Sequence, residues 1–291
     1  MMKLLLISIF LFIGLLSFAQ NQDFTELDEE QSFGRWDLGL NFGLYLPSNY
    51  HAKFYDGTAS NVNNVDYVFS NKYWYQDIYN ELNAADTVFV LELPGNMRYR
   101  PAFQIGIYFR RTFDNLIGLS LQFDYSKLYA SDKFTMQVDP DYIATEPDIR
   151  IYDIWGIEER INIDILFSRF FKLENPMYMP FFEAGLNITS TKVKEHKIKI
   201  ENLQYSLVDV YLNGSYVPGM PQNEYEIYQG GIGFGFTAAA GIKLRFNNQV
   251  SVDPGIRIYY QNVNLENYDL MKPAFAFFIR LGLADFFGDY E

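Results

Sequence analysis

The stretch GRWDLGLNFGLYL (residues 34–46) alternates apolar residues with small or polar ones at every step. One parity carries six apolar side chains, and the other carries aspartate, glycine, asparagine and tyrosine. Successive side chains of a β-strand point to opposite faces of its sheet, so this spacing predicts a strand with two chemically different faces. The fold depends on which of these faces meets water.

The same period-two pattern recurs along the chain. It appears in seven further stretches, at 103–109, 117–125, 161–167, 182–188, 232–246, 250–260 and 275–283. Three connections are tight turns, RTFDN (111–115), KLENPMY (172–178) and NNQ (247–249), whereas those near 47–97, 127–156, 190–230 and 261–272 are long and polar. We therefore predict an all-β fold, an up-and-down antiparallel barrel of eight strands with its long loops at one end.

The apolar parity of these eight stretches holds 42 residues. The interior of an eight-stranded barrel accommodates only about a dozen side chains in stacked layers, so most of the apolar residues must face outward. An apolar outer surface of this kind is stable in lipid, provided that closure of the barrel pairs every backbone N–H and C=O group. The pattern therefore predicts a transmembrane barrel of the bacterial outer membrane.

The inward parity combines many glycines with charged side chains, which must be paired in a confined lumen. Six acids balance six bases: Asp37, Asp124, Glu158, Asp164, Glu183 and Asp253 against Arg110, Arg160, Lys243, Arg245, Arg257 and Arg280. The balance favours a salt-bridged core that closes the lumen. The alternative is an ion-selective path.

The chain opens with MMKLLLISIFLFIGLLSFAQ, which combines a basic residue, an apolar core and a small-residue cleavage site. This pattern is typical of a signal peptide, predicted over 1–19, and a short acidic periplasmic segment (20–33) and one barrel domain (34–287) follow it. An exported chain with no cysteine depends on a large fold rather than on disulfides. The net charge of −13 argues against nucleic acid and anionic lipid headgroups as partners.

The long connections carry patterns of their own. We expect a short helix over 71–85, a strand over 86–93, and strand-like stretches within 192–214 that extend the sheet outward. The alternative is that these strands also cross the membrane, which gives a ten-stranded barrel. Four lysines between 192 and 199 argue against it, because cations are costly in hydrocarbon or in a narrow lumen.

Three strand sequences, WDLGLNFGLYL, GGIGFGFTAAAGIKLRF (230–246) and FAFFIRLGLADFF (275–287), follow a chain start that contains SFAQ. With these features the chain resembles small outer-membrane β-barrel proteins of the PorT-like type, within the OmpA-like eight-stranded barrels. The resemblance implies an outer-membrane location and, for some members, a link to protein secretion or surface assembly. It assigns no role to any single residue.

Catalytic patterns are weak in this sequence. The two histidines, His51 and His196, fall in or near the long loops without a neighbouring Asp-x-His or His-x-Ser pattern. We expect them to be solvated, and we predict no catalytic residues and no cofactor. The acidic stretch DPDYIATEPD is either a solvated loop or a calcium site. The candidate ligands are Asp139, Asp141, Glu146 and Asp148.

The first two long loops are rich in aromatic residues, namely Tyr67, Tyr73, Trp74, Tyr75, Tyr79, Tyr142 and Tyr152. Exposed tyrosines beside acids suit contact with a protein or a glycan, and they equally suit loops that pack on each other. The sequence leaves both open.

These patterns favour a non-enzymatic outer-membrane barrel that acts as a structural or interaction component through its external loops. Its expected partners are outer-membrane lipid and a protein at the cell surface or in a secretion complex. The alternatives are a narrow passive channel for small solutes or ions and, more weakly supported, a loop-borne hydrolase.

Overall fold

The computed structural model describes residues 36–113, 115–140, 147–211, 216–221, 229–246 and 249–284. The strands are β1 (Trp36–Leu46), β2 (Ala84–Glu92), β3 (Arg98–Tyr99), β4 (Ala102–Phe113), β5 (Ile117–Pro140), β6 (Asp148–Phe170), β7 (Tyr178–Ile200), β8 (Leu203–Ser206), β9 (Gly230–Arg245), β10 (Val250–Gln261) and β11 (Lys272–Ala284). The helices are α1 (Asn49–Ala52), a 3-10 helix (Lys53–Tyr55), α2 (Asp66–Phe69) and α3 (Lys72–Glu81). Within these ranges, no helix is long and apolar enough to cross a membrane. The predicted signal peptide and the segment at 20–33 lie outside the described residues.

Eight strands close into a ring in the order β1-β4-β5-β6-β7-β9-β10-β11, and every neighbouring pair is antiparallel. The eight-stranded prediction is therefore confirmed over the ten-stranded alternative. The other three strands do not enter the ring: β2 and β3 pair with β5, and β8 pairs with β7. The ring is an antiparallel β-barrel.

The register fixes the shape of the barrel. A path from partner to partner leaves β1 at Trp36, runs through Arg111, Leu119, Phe167, Ala184, Ala238, Ile258 and Phe275, and returns to β1 at Leu46. The path thus returns ten residues further along the strand, from position 36 to position 46. With about 3.3 Å per residue and about 4.8 Å between strands, this offset tilts the strands by roughly 40° from the barrel axis.

The two faces of the barrel have the predicted chemistry. Each ring strand exposes a large apolar side chain on the outside: Leu40, Phe103, Leu119, Phe167, Leu186, Phe234, Ile256 and Phe277. The alternate positions point inward and are buried, and they carry the charged and amide side chains. We call the outer zone the apolar band. Its two rims are the short-turn end and the long-loop end.

Three strands run far past the band at the long-loop end. The predicted loops at 127–156 and 190–230 are wrong in their bounds, because β5 continues to Pro140, β6 begins at Asp148 and β7 continues to Ile200. The connection between β5 and β6 is only 141–147. In the extensions of β5 and β7 apolar side chains now point inward and polar ones outward, whereas β6 keeps apolar side chains such as Ile149 and Ile151 on its outer face.

On β5 the exchange of parity falls near residue 126. Below it, Leu121 and Phe123 face outward while Gln122 and Asp124 are buried in the lumen. Above it, Leu128 and the further residues Ala130, Phe134, Met136 and Val138 are buried inside. The exchange therefore marks the level at which the outer surface of β5 changes from apolar to polar.

A bulge on β7 keeps the apolar side chains of its extension pointing inward. The register with β6 shifts by one residue between the pairs Ile157–Glu195 and Glu158–Val193. Val193 points inward below the bulge, and Ile198 and Ile200 point inward above it. A bulge inserts one extra residue and so re-aims the side chains that follow.

Pro254 lies in the middle of β10 without a bulge. The register of β10 with β11 is continuous through the pair Pro254–Ile279. The ladder with β9 instead skips the positions of Asp253 and Pro254 and resumes in the same register at Gly255. Since proline has no N–H, the missing rungs fall beside it without displacing the strand.

The chain beyond the band folds into a cap, which comprises residues 49–99, 127–140, 148–159, 191–211 and 262–271. Helix α3 begins where the side chain of Asn71 accepts hydrogen bonds from the backbone N–H groups of Tyr73 (3.0 Å) and Trp74 (3.2 Å). The predicted helix and strand of the first loop are confirmed, as α3 and β2. The cap has its own core, which includes Phe54, Val68, Trp74, Ile78, Phe134, Met136, Ile154, Ile198 and Leu207.

Candidate functional site

The lumen at the short-turn end holds an ion-pair cluster centred on Arg110. The guanidinium Nη2 of Arg110 lies 3.1 Å from Asp37 Oδ2 and 2.9 Å from Asp253 Oδ2. Lys243 Nζ approaches the same Asp37 oxygen at 2.7 Å. Strands β4, β1, β10 and β9 each supply one of these side chains, so the cluster joins the barrel walls across the lumen.

Glu183 on β7 connects this cluster to the middle of the lumen. Arg280 donates to both of its carboxylate oxygens, at 2.8 and 2.6 Å. Two further guanidinium groups, those of Arg110 and Arg257, each lie 3.7 Å from the carboxylate. One buried carboxylate therefore faces three buried cations.

Arg257 on β10 joins the middle of the lumen to the acids of the opposite wall. Its Nη1 lies 2.7 Å from Asp164 Oδ2 and 3.3 Å from Asp124 Oδ2. Its Nη2 donates to Gln122 Oε1 at 2.8 Å. Asn187 donates to the remaining oxygen of Asp164 at 2.7 Å. These bonds offset much of the solvation that the charged groups lose on burial.

The long-loop end of the lumen is closed by a cluster around Glu158. Its carboxylate pairs with Arg160 and accepts hydrogen bonds from the hydroxyls of Tyr55 (2.7 Å) and Tyr99 (2.9 Å). Arg160 donates to the hydroxyl of Tyr45 at 3.2 Å. Tyr55 and Tyr99 belong to the first long connection, so this cluster fastens that connection onto the barrel wall.

Eleven of the twelve predicted lumen charges take part in these ion pairs, and all eleven are buried. Arg245 is placed differently, since it lies at the short-turn end of β9 and is only partly buried. The sequence did not identify Tyr55 and Tyr99 as members of the cluster. Both lie in a long connection, where no strand periodicity shows which way a side chain points.

The 3-10 helix presses into the mouth of the barrel. The Tyr55 ring packs against β6 at Gly156, where any Cβ would overlap the ring. The Tyr55 carbonyl accepts a hydrogen bond from His196 Nε2 on β7 (3.1 Å), and the Leu270 carbonyl accepts one from His51 Nε2 (3.3 Å). Both histidines thus help to hold the segment around the 3-10 helix in the mouth of the barrel.

The expectation that these histidines are solvated is wrong. His51 is 1% exposed and His196 is fully buried. Burial lowers the pKa of each imidazole to about 3, because the charged form would lose its hydration. Each imidazole is neutral at pH 7 and donates its Nε2–H to a backbone carbonyl. His51 lies in the first long connection as predicted, whereas His196 lies on the extension of strand β7, and the folded cap covers both.

The predicted loop aromatics pack on one another. The Trp74 ring stacks on Tyr216 with centroids 5.0 Å apart, and Tyr67 and Tyr73 complete the cluster with ring contacts. Tyr67 also donates its hydroxyl to Asp209 at 2.8 Å, and burial together with this carboxylate raises the tyrosine pKa.

Tyr75 and Tyr79 on α3 cover the outer edge of β2. The Tyr75 hydroxyl donates to the Val88 carbonyl (3.3 Å) and accepts from its N–H (3.2 Å). Tyr79 donates to the Ala85 carbonyl at 2.7 Å. Covering an edge in this way protects a sheet from pairing with another chain.

Tyr152 is also engaged within the cap, since its hydroxyl donates to Glu201 at 3.1 Å. Burial raises its pKa to about 12. Tyr142 lies outside the described residues. For the other six predicted aromatics, the contacts favour packing between loops over free binding surfaces.

The calcium prediction stays untested. Asp141 and Glu146 lie outside the described residues, Asp139 is exposed, and Asp148 pairs with Arg150 at 2.8 Å. In the described ranges, no group of three or more histidines and acids is arranged to hold a metal ion.

No protein-family model matches the chain, and no curated protein matches it by sequence. Among solved structures, Neisserial surface protein A has 9% identity and a TM-score of 0.42 over 87% of this chain and 97% of that one. The outer membrane protein OprG of Pseudomonas aeruginosa has 8% identity and a TM-score of 0.39, over 87% and 95%. The attachment invasion locus protein Ail of Yersinia pestis has 8% identity and a TM-score of 0.36, over 87% of this chain and 99% of that one. At these TM-scores the likenesses add nothing to what the register of the chain establishes, and the PorT-like resemblance stays a prediction.

Two ion pairs of similar length, Arg257–Asp164 at 2.7 Å and Arg150–Asp148 at 2.8 Å, provide a test of the lumen cluster. Removing Arg257 leaves the buried Asp164 and Asp124 without their closest cation, so Arg257→Met should lower the free energy of unfolding by about 3–5 kcal/mol. The matched control is Arg150→Met, which breaks a 2.8 Å pair whose side chains are 31% and 23% exposed and should cost less than about 1 kcal/mol. Urea unfolding in detergent micelles measures both. Equal losses would contradict the buried-cluster interpretation.

The buried histidines predict a pH dependence of the cap. An unfolded histidine has a pKa near 6.5, so the unfolded chain binds more protons than the folded one as the pH falls from about 6.5 toward about 3. The stability that the neutral histidines contribute is complete above that window and is lost through it, by up to about 2 kcal/mol per histidine at pH 5.

Limited proteolysis of the cap at pH 7, 6 and 5 measures this loss, with faster cleavage expected at lower pH. The control is the double variant His51→Gln/His196→Gln, which should show little change of its cleavage rate with pH. A double variant that keeps the dependence of the wild type would show that other groups cause it.

Proposed function

We propose that the protein is an integral protein of the bacterial outer membrane, exported through its signal peptide, with the short turns in the periplasm and the cap outside. The apolar band supports this assignment. On β9 its outward apolar residues run from Ile232 to Leu244, a span of about 30 Å along the axis at the tilt given above, which matches the hydrocarbon thickness of a bilayer. Outer-membrane barrels combine such a band with short periplasmic turns and longer external loops.

The filled lumen is the observation that carries the functional proposal. Buried ion pairs occupy the lumen from Lys243 near the short turns to Glu158 at the mouth, and Tyr55 closes the mouth above them. An open pore needs a continuous water-filled path. We therefore favour a non-enzymatic structural or interaction component over a channel.

The cap is the part that a partner would contact. At its distal end, the outer face of the sheet exposes Phe89 and Leu91 on β2 and Ile149 and Ile151 on β6, each 44–62% exposed. Phe89 and Ile149 are both register partners of Gln137 on β5, so the four side chains share one face. A clustered apolar patch on a water-facing sheet is typical of a protein-binding surface.

The nature of that partner follows from the surface alone. An apolar patch beyond the membrane fits a protein at the cell surface, which includes the assembly and secretion complexes that the PorT-like resemblance implies. The patch fits both kinds of partner. Neither histidine supports the loop-borne hydrolase, because both are buried in structural hydrogen bonds.

Conductance in planar bilayers tests the closed lumen. We expect no discrete current steps from the refolded wild-type protein, because the ion pairs fill the barrel. Steady steps whose ion selectivity changes in Arg257→Gln would establish the channel and overturn the proposal.

Photo-cross-linking in intact cells tests the interaction role. A photoreactive residue at position 151 should give an adduct of defined mass, whereas the same residue at position 72, an exposed site on α3, should give none. Absence of an adduct at position 151 would leave the patch without a partner and contradict the interaction role.

A further inference from the structure

Basic side chains gather on the outer face of the barrel at the upper edge of the apolar band. Lys127 on β5 and Lys192 and Lys194 on β7 are exposed and point away from the axis. Glu159 on β6 is the register partner of both Lys127 and Lys192, so these three residues form one row across three strands. We call Lys127, Lys192, Lys194 and Arg100 the basic belt.

Arg100 extends the belt toward β4. Its guanidinium lies 4.6 Å from the centroid of the Tyr129 ring and donates to Ser131 Oγ at 3.2 Å, which holds it against the outer face of β5. Tyr129 lies two residues above Lys127 on the same face. Cations on β5, on β7 and on the segment that precedes β4 thus occupy one side of the barrel.

The position of the belt along the axis decides what it meets. Lys127 is two residues above Tyr125 and Lys192 is four residues above Ile188, both of which are outward residues of the band. Two residues of a strand at this tilt rise by about 5 Å, so the belt begins within about 10 Å of the band edge. The headgroup layer of a bilayer extends about 5–8 Å beyond the hydrocarbon, and lysine side chains reach several ångströms further.

The charge of the belt is positive in spite of the acidic chain. Among the residues that the structure describes, the belt carries four cations and the acid in its row is Glu159, whose carboxylate lies 3.7 Å from Lys194 Nζ. The next acid above, Glu195, pairs with Lys197 at 3.3 Å. Charges further away than a Debye length of about 8 Å are screened, so the net charge of −13 does not cancel the local excess.

We infer that the basic belt binds anionic, phosphate-bearing lipid headgroups of the surrounding outer leaflet. This inference rests on the membrane assignment proposed above and revises the expectation, drawn from net charge, that anionic headgroups are repelled. The apolar band positions lipid tails directly below the belt, so the phosphates of those same lipids lie at its level. The ammonium groups attract them as point charges.

The lipids that stay with the purified protein measure this preference. The wild-type chain is refolded into vesicles of equal parts phosphatidylcholine and phosphatidylglycerol and extracted in mild detergent, and the retained lipids are quantified by mass spectrometry. We expect about fivefold enrichment of phosphatidylglycerol, and a return toward the vesicle ratio in Lys127→Gln/Lys192→Gln/Lys194→Gln. The matched control removes three exposed lysines of the cap that lie outside the belt, Lys53→Gln/Lys72→Gln/Lys133→Gln, and should keep the enrichment.

Heat-modifiable migration on gels confirms insertion of each variant before its lipids are counted. A wild-type chain that does not insert overturns the membrane assignment and the inference together. A wild-type chain that inserts without enrichment, or a belt variant that stays as enriched as the control, overturns the inference alone.

Discussion

A backbone N–H or C=O group in hydrocarbon has no water to bond, so every strand that crosses the apolar band must be paired on both sides. The ring of eight strands meets this constraint through one continuous register that advances ten residues per circuit. The ring size and this offset together set the tilt and leave a lumen only wide enough for side chains. Outward positions then belong to lipid-compatible residues, and inward positions must be polar groups that satisfy one another or small residues that make room.

The lumen cluster is a consequence of this narrowness. Buried charges are costly unless each faces an opposite charge and its remaining polar atoms find donors or acceptors. Glu183 illustrates the solution, since three guanidinium groups surround it, and Glu158 uses one guanidinium and two tyrosine hydroxyls. Because Tyr55 and Tyr99 come from the first long connection, the same cluster that neutralises the mouth also anchors the cap. Structure at the mouth and folding of the cap are therefore coupled.

Sequence periodicity predicts the barrel well because one solvent surrounds each crossing strand. The eight strands, their outward parity and most of the inward charges follow from that rule alone. It fails where the solvent changes along a single strand: on β5 the apolar residues move from odd positions such as Phe123 to even ones such as Phe134. The outward residues of the extension, Lys133 among them, are polar, so the sequence predicted a loop there. A search for alternation that reverses its phase would have found it.

The side-chain partners of the cap are not readable in the same way. His51 and His196 each bond a carbonyl that is remote in sequence, and the aromatic cluster around Trp74 joins residues of separate connections. Such contacts depend on how connections of irregular structure fold over the mouth. Composition shows that the aromatic residues are present, but only the tertiary packing decides that they are used internally.

Accessibility of spin labels along β5 tests the central claim most directly, since the chain has no cysteine and each introduced one is labelled alone. In lipid vesicles, labels at positions 119 and 123 should collide with oxygen and not with a water-soluble nickel chelate. Labels at positions 127 and 133 should show the reverse, and a label at position 122 should be shielded from both. Nickel accessibility at 119 and 123 equal to that at 133 would contradict an apolar exterior facing lipid and, with it, the reversal of parity on which this account depends.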